Sequence, residues 1–188
     1  MESVNFEGMP KIKRWSREIS ISEKIDGTSG CVMIDDDGVM HVGSRTRWIT
    51  PEHDNMGFAR WCFEHHDELL LLGHGRHFGE WWGAGIQRRY GQKEKIFSLF
   101  NSSRWTDDVR PSCCRVVPVL YTGPMDQYAI QGCLYRLKFE GSMAAPGYMN
   151  PEGIVIYHTA AGIAFKKTLE GDEVPKGGTR DADGNVVC

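Results

Sequence analysis

An alternating segment that runs into a lysine–aspartate–glycine turn constrains the fold of this chain most strongly. Residues 18–22 read Glu-Ile-Ser-Ile-Ser, apolar and polar in turn, which predicts a strand with one buried face. The strand leads into residues 23–27, Glu-Lys-Ile-Asp-Gly, and a second strand is predicted over residues 31–34. The glycine lets the backbone adopt a turn that a side chain would block. The pattern therefore places a lysine and a carboxylate at the end of a strand.

A lysine in this position has the chemistry of a covalent catalyst. Its amine can attack a phosphorus centre and carry a nucleotide once desolvation or a neighbouring cation makes the neutral form accessible. By itself the Lys24-Ile25-Asp26-Gly27 spacing is a weak signal, because such a turn is common on protein surfaces. The other elements of the chain must decide between the two interpretations.

The segment after the second strand predicts a β-hairpin. Residues 35–38, Asp-Asp-Asp-Gly, form a tight turn, and residues 39–42 return as the partner strand. Calcium binding by this aspartate run is rejected because the remaining ligands of a calcium loop are missing from the sequence.

Two helices and further strands complete the predicted elements. Thr50, followed by a proline, predicts the start of a helix that ends at Gly73, and residues 126–139 have the apolar spacing of a second helix. Strands are predicted over residues 77–81, 95–100, 154–157 and 163–167, and residues 116–121 form another apolar run. Since no linker divides the chain, we expect a single α+β domain over residues 1–188, rich in antiparallel strands, with an irregular tail after about residue 170.

Composition limits the class of protein. Of the 188 residues, 40% are hydrophobic, as in a globular protein, and the net charge of −3 argues against a chain wholly wrapped in nucleic acid. A basic stretch over residues 86–115 is compatible with local phosphate contacts. The six cysteines form no Cys-x-x-Cys pair, and no signal peptide or membrane-length apolar run is present. We therefore expect a cytoplasmic protein with reduced thiols and no membrane association.

Six short motifs occur in a defined order along the chain. They are Lys24-Ile25-Asp26-Gly27, Ser44-Arg45, Gly79-Glu80, Phe97-Ser98-Leu99-Phe100, Glu152-Gly153-Ile154-Val155 and Phe165-Lys166-Lys167. Their order and spacing resemble the covalent nucleotidyltransferase superfamily of RNA ligases, DNA ligases and RNA capping enzymes, over about residues 11–176. Within that superfamily the chain is most similar to the phage and bacterial RNA ligases, through Glu23, Thr28-Ser29 and residues 77–83, His-Phe-Gly-Glu-Trp-Trp-Gly.

The resemblance implies an ATP-dependent mechanism with Lys24 as the nucleophile. Lys24 would attack the α-phosphate of ATP, expel pyrophosphate and hold AMP through a phosphoramidate bond. Lys166 or Lys167 would bind the same phosphate and offset its charge. The family shows two lysines separated by one residue here, whereas this chain has adjacent lysines. Adjacent residues of a strand face opposite sides, so only one can point into the site, and we favour Lys166.

The resemblance also assigns the polar groups around the nucleotide. Asp26 and Glu152 would lie near a catalytic Mg²⁺ or Mn²⁺, because Mg²⁺ prefers a few hard oxygen ligands alongside water. Glu80 would accept hydrogen bonds from the ribose hydroxyls. Arg45 would contact the ribose or an incoming 5′-phosphate, a task that suits a bidentate guanidinium.

The base and the neighbouring backbone complete the implied nucleotide site. Phe100 would stack on adenine, and Glu23 would read the adenine edge, which is consistent with ATP over GTP. Ile25 and Gly27 would lie against the nucleotide. Asn101 follows Phe100 where many relatives have an aspartate, so one charge near the nucleotide is missing.

The fold implied by the resemblance is the sheet-rich nucleotidyltransferase core, the ATP-grasp-like adenylylation domain of ligases. About twenty residues follow Lys167, too few for an OB-fold, so we expect no OB domain. RNA would then be held by the basic stretch after Ile86 or by a nucleic-acid-binding partner protein.

The leading hypothesis is an ATP-dependent RNA ligase that joins RNA ends carrying a 5′-phosphate and a 3′-hydroxyl, in the cytoplasm and with a phage origin as one option. A minimal DNA ligase core, a GTP-dependent capping enzyme and a catalytically silent nucleotide-binding module are the alternatives. The silent module is disfavoured because a non-catalytic protein has no need to keep a nucleophile and its supporting charges, which here are Lys24, Glu80, Glu152 and Lys166.

Overall fold

The computed structural model of the chain describes residues 7–172 and the backbone of one short strand pair beyond them. Its strands are β1 Glu18–Lys24, β2 Thr28–Ile34, β3 Met40–Gly43, β4 Gly75–Gly83, β5 Lys95–Leu99, β6 Cys114–Val116, β7 Val119–Pro124, β8 Gly153–His158 and β9 Ile163–Thr168. The helices are α1 Phe58–Glu64, α2 His66–Leu70 and α3 Gln127–Glu140.

The tail contains β10 Thr179–Arg180, which pairs with β11 Val186–Val187. The rest of the tail, including Lys176 at the end of the motif resemblance, lies outside the described residues. The irregular tail therefore stays a prediction there.

Two β-sheets form the body of the molecule. One has four antiparallel strands in the order β7-β1-β8-β9, and the other has five strands in the order β3-β2-β4-β5-β6. All neighbours in the second sheet are antiparallel except β5 and β6. The expected α+β class, rich in antiparallel strands, is confirmed. β1 and β2 lie in different sheets although only residues 25–27 separate them.

Each sheet packs one face against helices. Alternate residues of β2 and β5 are buried in a core with α1 and α2, through Val32, Ile34, Phe97, Leu99, Phe58, Cys62 and Leu69. Alternate residues of β1 and β8 are buried against α3, through Ile19, Ile21, Ile154, Ile156, Leu134 and Leu137. The opposite faces of both sheets are then available to form a site. No helix in the described part of the chain is both long and apolar enough to cross a membrane.

A third apolar cluster links the end of β1 to the inner face of the five-stranded sheet, which is the face turned away from α1 and α2. It contains Ile25, Trp82, Tyr90, Ile96, Val117 and Ala145. The indole Nε1 of Trp82 donates a hydrogen bond to the Ser98 hydroxyl at 2.9 Å, so the buried ring keeps its polar group satisfied. Burying one large apolar side chain contributes roughly 1.5–3 kcal/mol. The turn after β1 is thus fixed by packing as well as by the backbone.

The predicted helix start at Thr50 is wrong. Residues 51–57 form turns, and α1 begins at Phe58 after Gly57, whose φ of 82° lies in the left-handed region. The Asp54 carboxylate accepts hydrogen bonds from the backbone of Ala59 at 2.7 Å and of Arg60 at 3.2 Å, so it satisfies the free N–H groups of the first turn. The segment predicted as one helix is two short helices, α1 and α2, which are separated at His65.

The other local predictions agree with the structure. Asp126 caps α3, and its carboxylate accepts a hydrogen bond from the Tyr128 backbone at 2.9 Å. The aspartate run after β2 forms a turn in which Asp35 accepts hydrogen bonds from the backbone of Asp37 and Val39. These hydrogen bonds stabilise the turn, as the sequence predicted for the aspartate run.

Candidate active site

The register of the four-stranded sheet separates the two candidate lysines of β9. Ser22 lies opposite Val155, and Val155 lies opposite Lys166, so Lys166 is on the same face as Ser22 and Lys24. That face is opposite to the one packed against α3. Lys167 pairs with Ile154 on the α3 face, and its Nζ lies 3.2 Å from the Asp172 carboxylate. The alternation argument that favours Lys166 therefore holds for the position of the side chains.

Lys24 is paired with Glu152 at the start of β8. The Nζ of Lys24 lies 2.6 Å from Oε2 of Glu152, and both side chains are mostly buried. Gly153 follows at φ 155° and lies opposite Lys24, where a Cβ would collide with the carbonyl of Lys167. A glycine is therefore required for Glu152 to reach Lys24 from the end of the neighbouring strand.

Glu80 projects from β4 into the same region. Its Oε1 accepts a hydrogen bond from the Gly27 backbone at 3.0 Å. Burial raises the pKa of Glu80 to about 7, the charge of Lys24 opposes the rise, and Glu152 and Asp26 add to it. A Cβ on Gly27 would collide with the carbonyl of Trp81, so the close approach of β4 to this turn depends on glycine. Glu80, Lys24, Asp26 and Glu152 thus form one charged group.

Asp26 is held by two residues whose role the sequence analysis missed. Arg88 Nε lies 3.1 Å from the Asp26 carboxylate, and its Nη1 also donates to the carbonyl and side-chain oxygens of Asn150 at 3.0 and 2.9 Å. The hydroxyl of the buried Tyr90 accepts a hydrogen bond from the Asp26 backbone at 2.9 Å. Arg88 appears in the sequence as one member of a basic stretch, and nothing in that stretch distinguishes it from its neighbours.

The turn that presents Arg88 and Tyr90 has an unusual backbone. Gln87, Arg89 and Tyr90 have φ values of 43°, 61° and 49°, although none is glycine. Left-handed conformations of this kind are costly for residues with a Cβ and persist only where surrounding contacts impose them. Arg88 and Tyr90 supply those contacts. The conformation of this turn is therefore coupled to the position of Asp26.

Glu23 lies away from the charged group. It occupies the α3 side of β1, and its carboxylate accepts hydrogen bonds from the Ser142 hydroxyl at 2.6 Å and the backbones of Met143 and Ala144 at 2.7 and 2.9 Å. Burial raises the pKa of Glu23, and these hydrogen bonds oppose the rise. The carboxylate thereby joins the loop after α3 to β1, and contact of Glu23 with the adenine edge stays a prediction.

The remaining predicted residues differ in their exposure to solvent. Ile25 is buried in the third apolar cluster. Phe100 directly follows β5, is 44% exposed, and its backbone donates to the Phe78 carbonyl at 2.9 Å. Arg45 is exposed in the loop after β3, and within residues 7–172 no hydrogen bond or ion pair joins it to Lys24, Glu80 or Glu152.

The donor set suits a magnesium-type ion held jointly with a nucleotide. In the described part of the chain no three His, Cys, Asp or Glu side chains are arranged to hold a metal. Mg²⁺ commonly takes only one or two carboxylates and completes its shell with water and substrate phosphates. Asp26 and Glu152 supply two carboxylates of that kind within the charged group, so the residues present fit such an ion.

Comparison with known proteins identifies a matching family. Residues 17–168 match the sequence profile of the RNA ligase family. No curated protein sequence matches the chain significantly.

The fold is similar to solved structures of Naegleria gruberi RNA ligase. An apo mutant aligns with a TM-score of 0.59 at 19% identity, covering 81% of this chain and 50% of that one. A mutant with ATP and Mn aligns with a TM-score of 0.58 at 19% identity, covering 81% of this chain and 49% of that one. The enzyme with PPi aligns with a TM-score of 0.55 at 19% identity, covering 81% of this chain and 50% of that one. This chain spans about half the length of these structures. Because the family profile covers residues 17–168, most of its length, the chain belongs to the RNA ligase family.

Proposed function

We propose that this chain is the nucleotidyltransferase domain of an ATP-dependent RNA ligase. The observation that carries the proposal is the charged group that Lys24, Asp26 and Glu152 form with Glu80, between the end of β1, the start of β8 and the face of β4. A buried lysine flanked by carboxylates at the meeting point of two sheets suits covalent transfer of a nucleotide. Family membership supports RNA as the class of substrate.

In the first step Lys24 forms a bond to the nucleotide. Its Nζ attacks the α-phosphorus of ATP, the N–P bond forms, the bond from that phosphorus to the bridging oxygen breaks, and pyrophosphate leaves. Glu152, at 2.6 Å, is in position to accept the proton that the amine must lose. Lys166, on the Lys24 face of the sheet, is assigned to the charge on the α-phosphate. Lys167 is assigned a structural role with Asp172.

The other predicted residues would hold the nucleotide. Glu80 is assigned to the ribose hydroxyls, Phe100 to the adenine ring, and Arg45 to the ribose or the incoming 5′-phosphate. Ile25 and Gly27 are assigned to the backbone that lies against the nucleotide. Asp26 and Glu152 would hold Mg²⁺ or Mn²⁺, and such an ion neutralises phosphate charge during transfer.

Two further steps would complete sealing. AMP passes from Lys24 to the 5′-phosphate of an RNA end, and the 3′-hydroxyl of a second end then displaces AMP to form the phosphodiester bond. The nucleotide site is consistent with ATP because Naegleria gruberi RNA ligase mutants with this fold were solved with ATP and Mn and with AMP and Mn. We further propose a cytoplasmic location, and RNA binding by this domain or together with a partner protein.

Labelling with ATP radioactive at the α-phosphate tests the first step. The wild type with Mg²⁺ should become covalently labelled on a denaturing gel, Lys24→Ala should not, and the exposed control Lys138→Ala should label normally. Labelled GTP distinguishes a capping-type enzyme. Folded wild-type protein that takes no label from either nucleotide would contradict the proposal and favour the silent binding module.

Sealing assays test the substrate class. Matched RNA and DNA ends with a 5′-phosphate and a 3′-hydroxyl are compared at equal concentration, and we expect joining of RNA. Preferential joining of DNA would favour the minimal DNA ligase core.

A further inference from the structure

A row of exposed aromatic side chains crosses the inner face of the five-stranded sheet beside Glu80. Phe78 lies two residues before Glu80 on β4, so both side chains project from the same face. Phe100, whose backbone donates to the Phe78 carbonyl, extends the row by one strand. Phe78 is 51% exposed and Phe100 is 44% exposed. Core packing alone does not account for aromatic rings that stay half accessible at this position.

Trp48 continues the row at the other edge of the sheet. In the register, Phe78 is opposite Cys31 and Cys31 is opposite Gly43. A Cβ on Gly43 would lie 3.2 Å from the indole of Trp48, so the glycine makes room for the ring on this face. Trp48 is 52% exposed. With strands about 4.8 Å apart, the row from Phe100 through Phe78 to Trp48 spans roughly 14 Å.

The surroundings of this aromatic row are positively charged. Arg76 projects from β4, and its guanidinium lies 5.9 Å from the centre of the Trp48 ring. Arg45 and Arg47 belong to the turn between β3 and Trp48. None of the three arginines forms an ion pair with another described residue, whereas the nearby Asp35 is occupied by His41 at 2.7 Å. The patch therefore has unpaired cations beside exposed ring faces.

We propose that Trp48 and Phe78 form a stacking platform for the single-stranded end of the RNA substrate, with Arg76 and Arg47 contacting its phosphates. Bases splayed out of a single strand stack on aromatic side chains irrespective of sequence, while a paired duplex hides its base faces. The platform is continuous with the nucleotide site, because Phe78 is adjacent to Glu80 on one strand face. This inference rests on the proposed function, and it selects unpaired ends over blunt duplexes as substrate.

The test compares the double variant Trp48→Ala/Phe78→Ala with Tyr128→Ala/Tyr135→Ala, which removes two exposed aromatics from the outer helix α3. Labelling by ATP without RNA should be normal in both variants. Fluorescence anisotropy at fixed salt should show the Kd for a short single-stranded 5′-phosphorylated RNA rising by about tenfold or more in the platform variant alone. Binding of a blunt RNA duplex should change little.

Three results would overturn the platform while leaving the proposed function intact. They are an unchanged Kd, an equal loss in the α3 variant, or an equal loss for the duplex, each with normal labelling by ATP. Failure of the wild type to label would instead contradict the proposed function.

Photo-cross-linking of the wild type with a 4-thiouridine RNA gives a second measurement that needs no variant to fold. Adducts on Trp48 or Phe78 are expected, and adducts found only on other surfaces would refute the platform.

Discussion

At the scale of single residues, motif spacing predicted the charged group well and its contacts poorly. Lys24, Glu80 and Glu152 come together because Lys24 ends β1, Glu152 directly precedes its partner β8, and Glu80 projects from β4 of the other sheet to the turn after β1. The position of Glu23 could have been inferred from strand alternation alone, since the residue before Lys24 must face the other side of the sheet. Glu23 accordingly binds the loop after α3. The Arg88–Asp26 ion pair was not predictable, because it depends on a turn more than sixty residues away in sequence.

The two adjacent lysines of β9 should differ sharply in function. Lys166→Ala should slow formation of the Lys24–AMP bond by about 10²-fold or more, because it removes a cation from the developing phosphate charge. Lys167→Ala should leave the rate nearly unchanged, since its side chain lies on the α3 face beside Asp172. Single-turnover labelling with radioactive ATP measures both rates. The reverse order of effects would show that Lys167 is the working residue.

The Glu80 carboxyl should make stability depend on pH. Burial raises its pKa from 4.5 to about 7 in the folded protein, so the folded state holds this proton more tightly than the unfolded state. That contribution is complete below about pH 4.5 and is lost as the pH rises to about 7, with a magnitude of roughly 3 kcal/mol. Urea unfolding at several pH values should show this loss in the wild type.

Glu80→Gln should lack this component of the pH dependence, since an amide does not titrate. The exposed control Glu94→Gln should follow the wild type. If the unfolding free energies of Glu80→Gln and the wild type change in parallel from pH 5 to 7.5, folding does not raise the pKa of Glu80 and the prediction is wrong.

At the scale of elements, strands were predicted more reliably than helix starts. Alternation marks a strand directly, and the predicted strands over 18–22 and 163–167 lie within β1 and β9. The helix start after Thr50 was misassigned because a threonine–proline pair also suits a turn, and the capping carboxylate is Asp54. The strained turn over residues 87–90 has no counterpart in local sequence preference, since non-glycine residues rarely adopt a positive φ.

Tyr90→Phe tests whether this turn supports the site. The change leaves the Asp26 N–H without its acceptor in a mostly buried place, so we expect a loss of about 1–3 kcal/mol in unfolding free energy. Lys24 labelling by ATP should slow, because the Asp26 backbone loses its hydrogen bond to the Tyr90 hydroxyl. Tyr121→Phe, which removes an exposed hydroxyl bonded to the Pro124 carbonyl, should change neither quantity. Equal behaviour of the two variants would reduce Tyr90 to a packing residue.

At the scale of the whole molecule, the α+β class followed from the sequence, but the division into two sheets did not. Two strands separated by three residues would ordinarily form a hairpin, as β2 and β3 do across the five residues 35–39. β1 instead pairs with β7 and β8, while β2 pairs with β3 and β4. That choice depends on long-range partners, in particular on the burial of Ile25 against Trp82 and Tyr90, which local patterns do not encode.

The short crossing between the sheets has a mechanical consequence. Residues 25–27 are the covalent link from β1 to β2, and the link begins at the peptide after Lys24. A rotation of one sheet against the other would have to be accommodated within these three residues, next to the nucleophile. A substrate that changed the angle between the two sheets would therefore also change the direction of the Lys24 side chain.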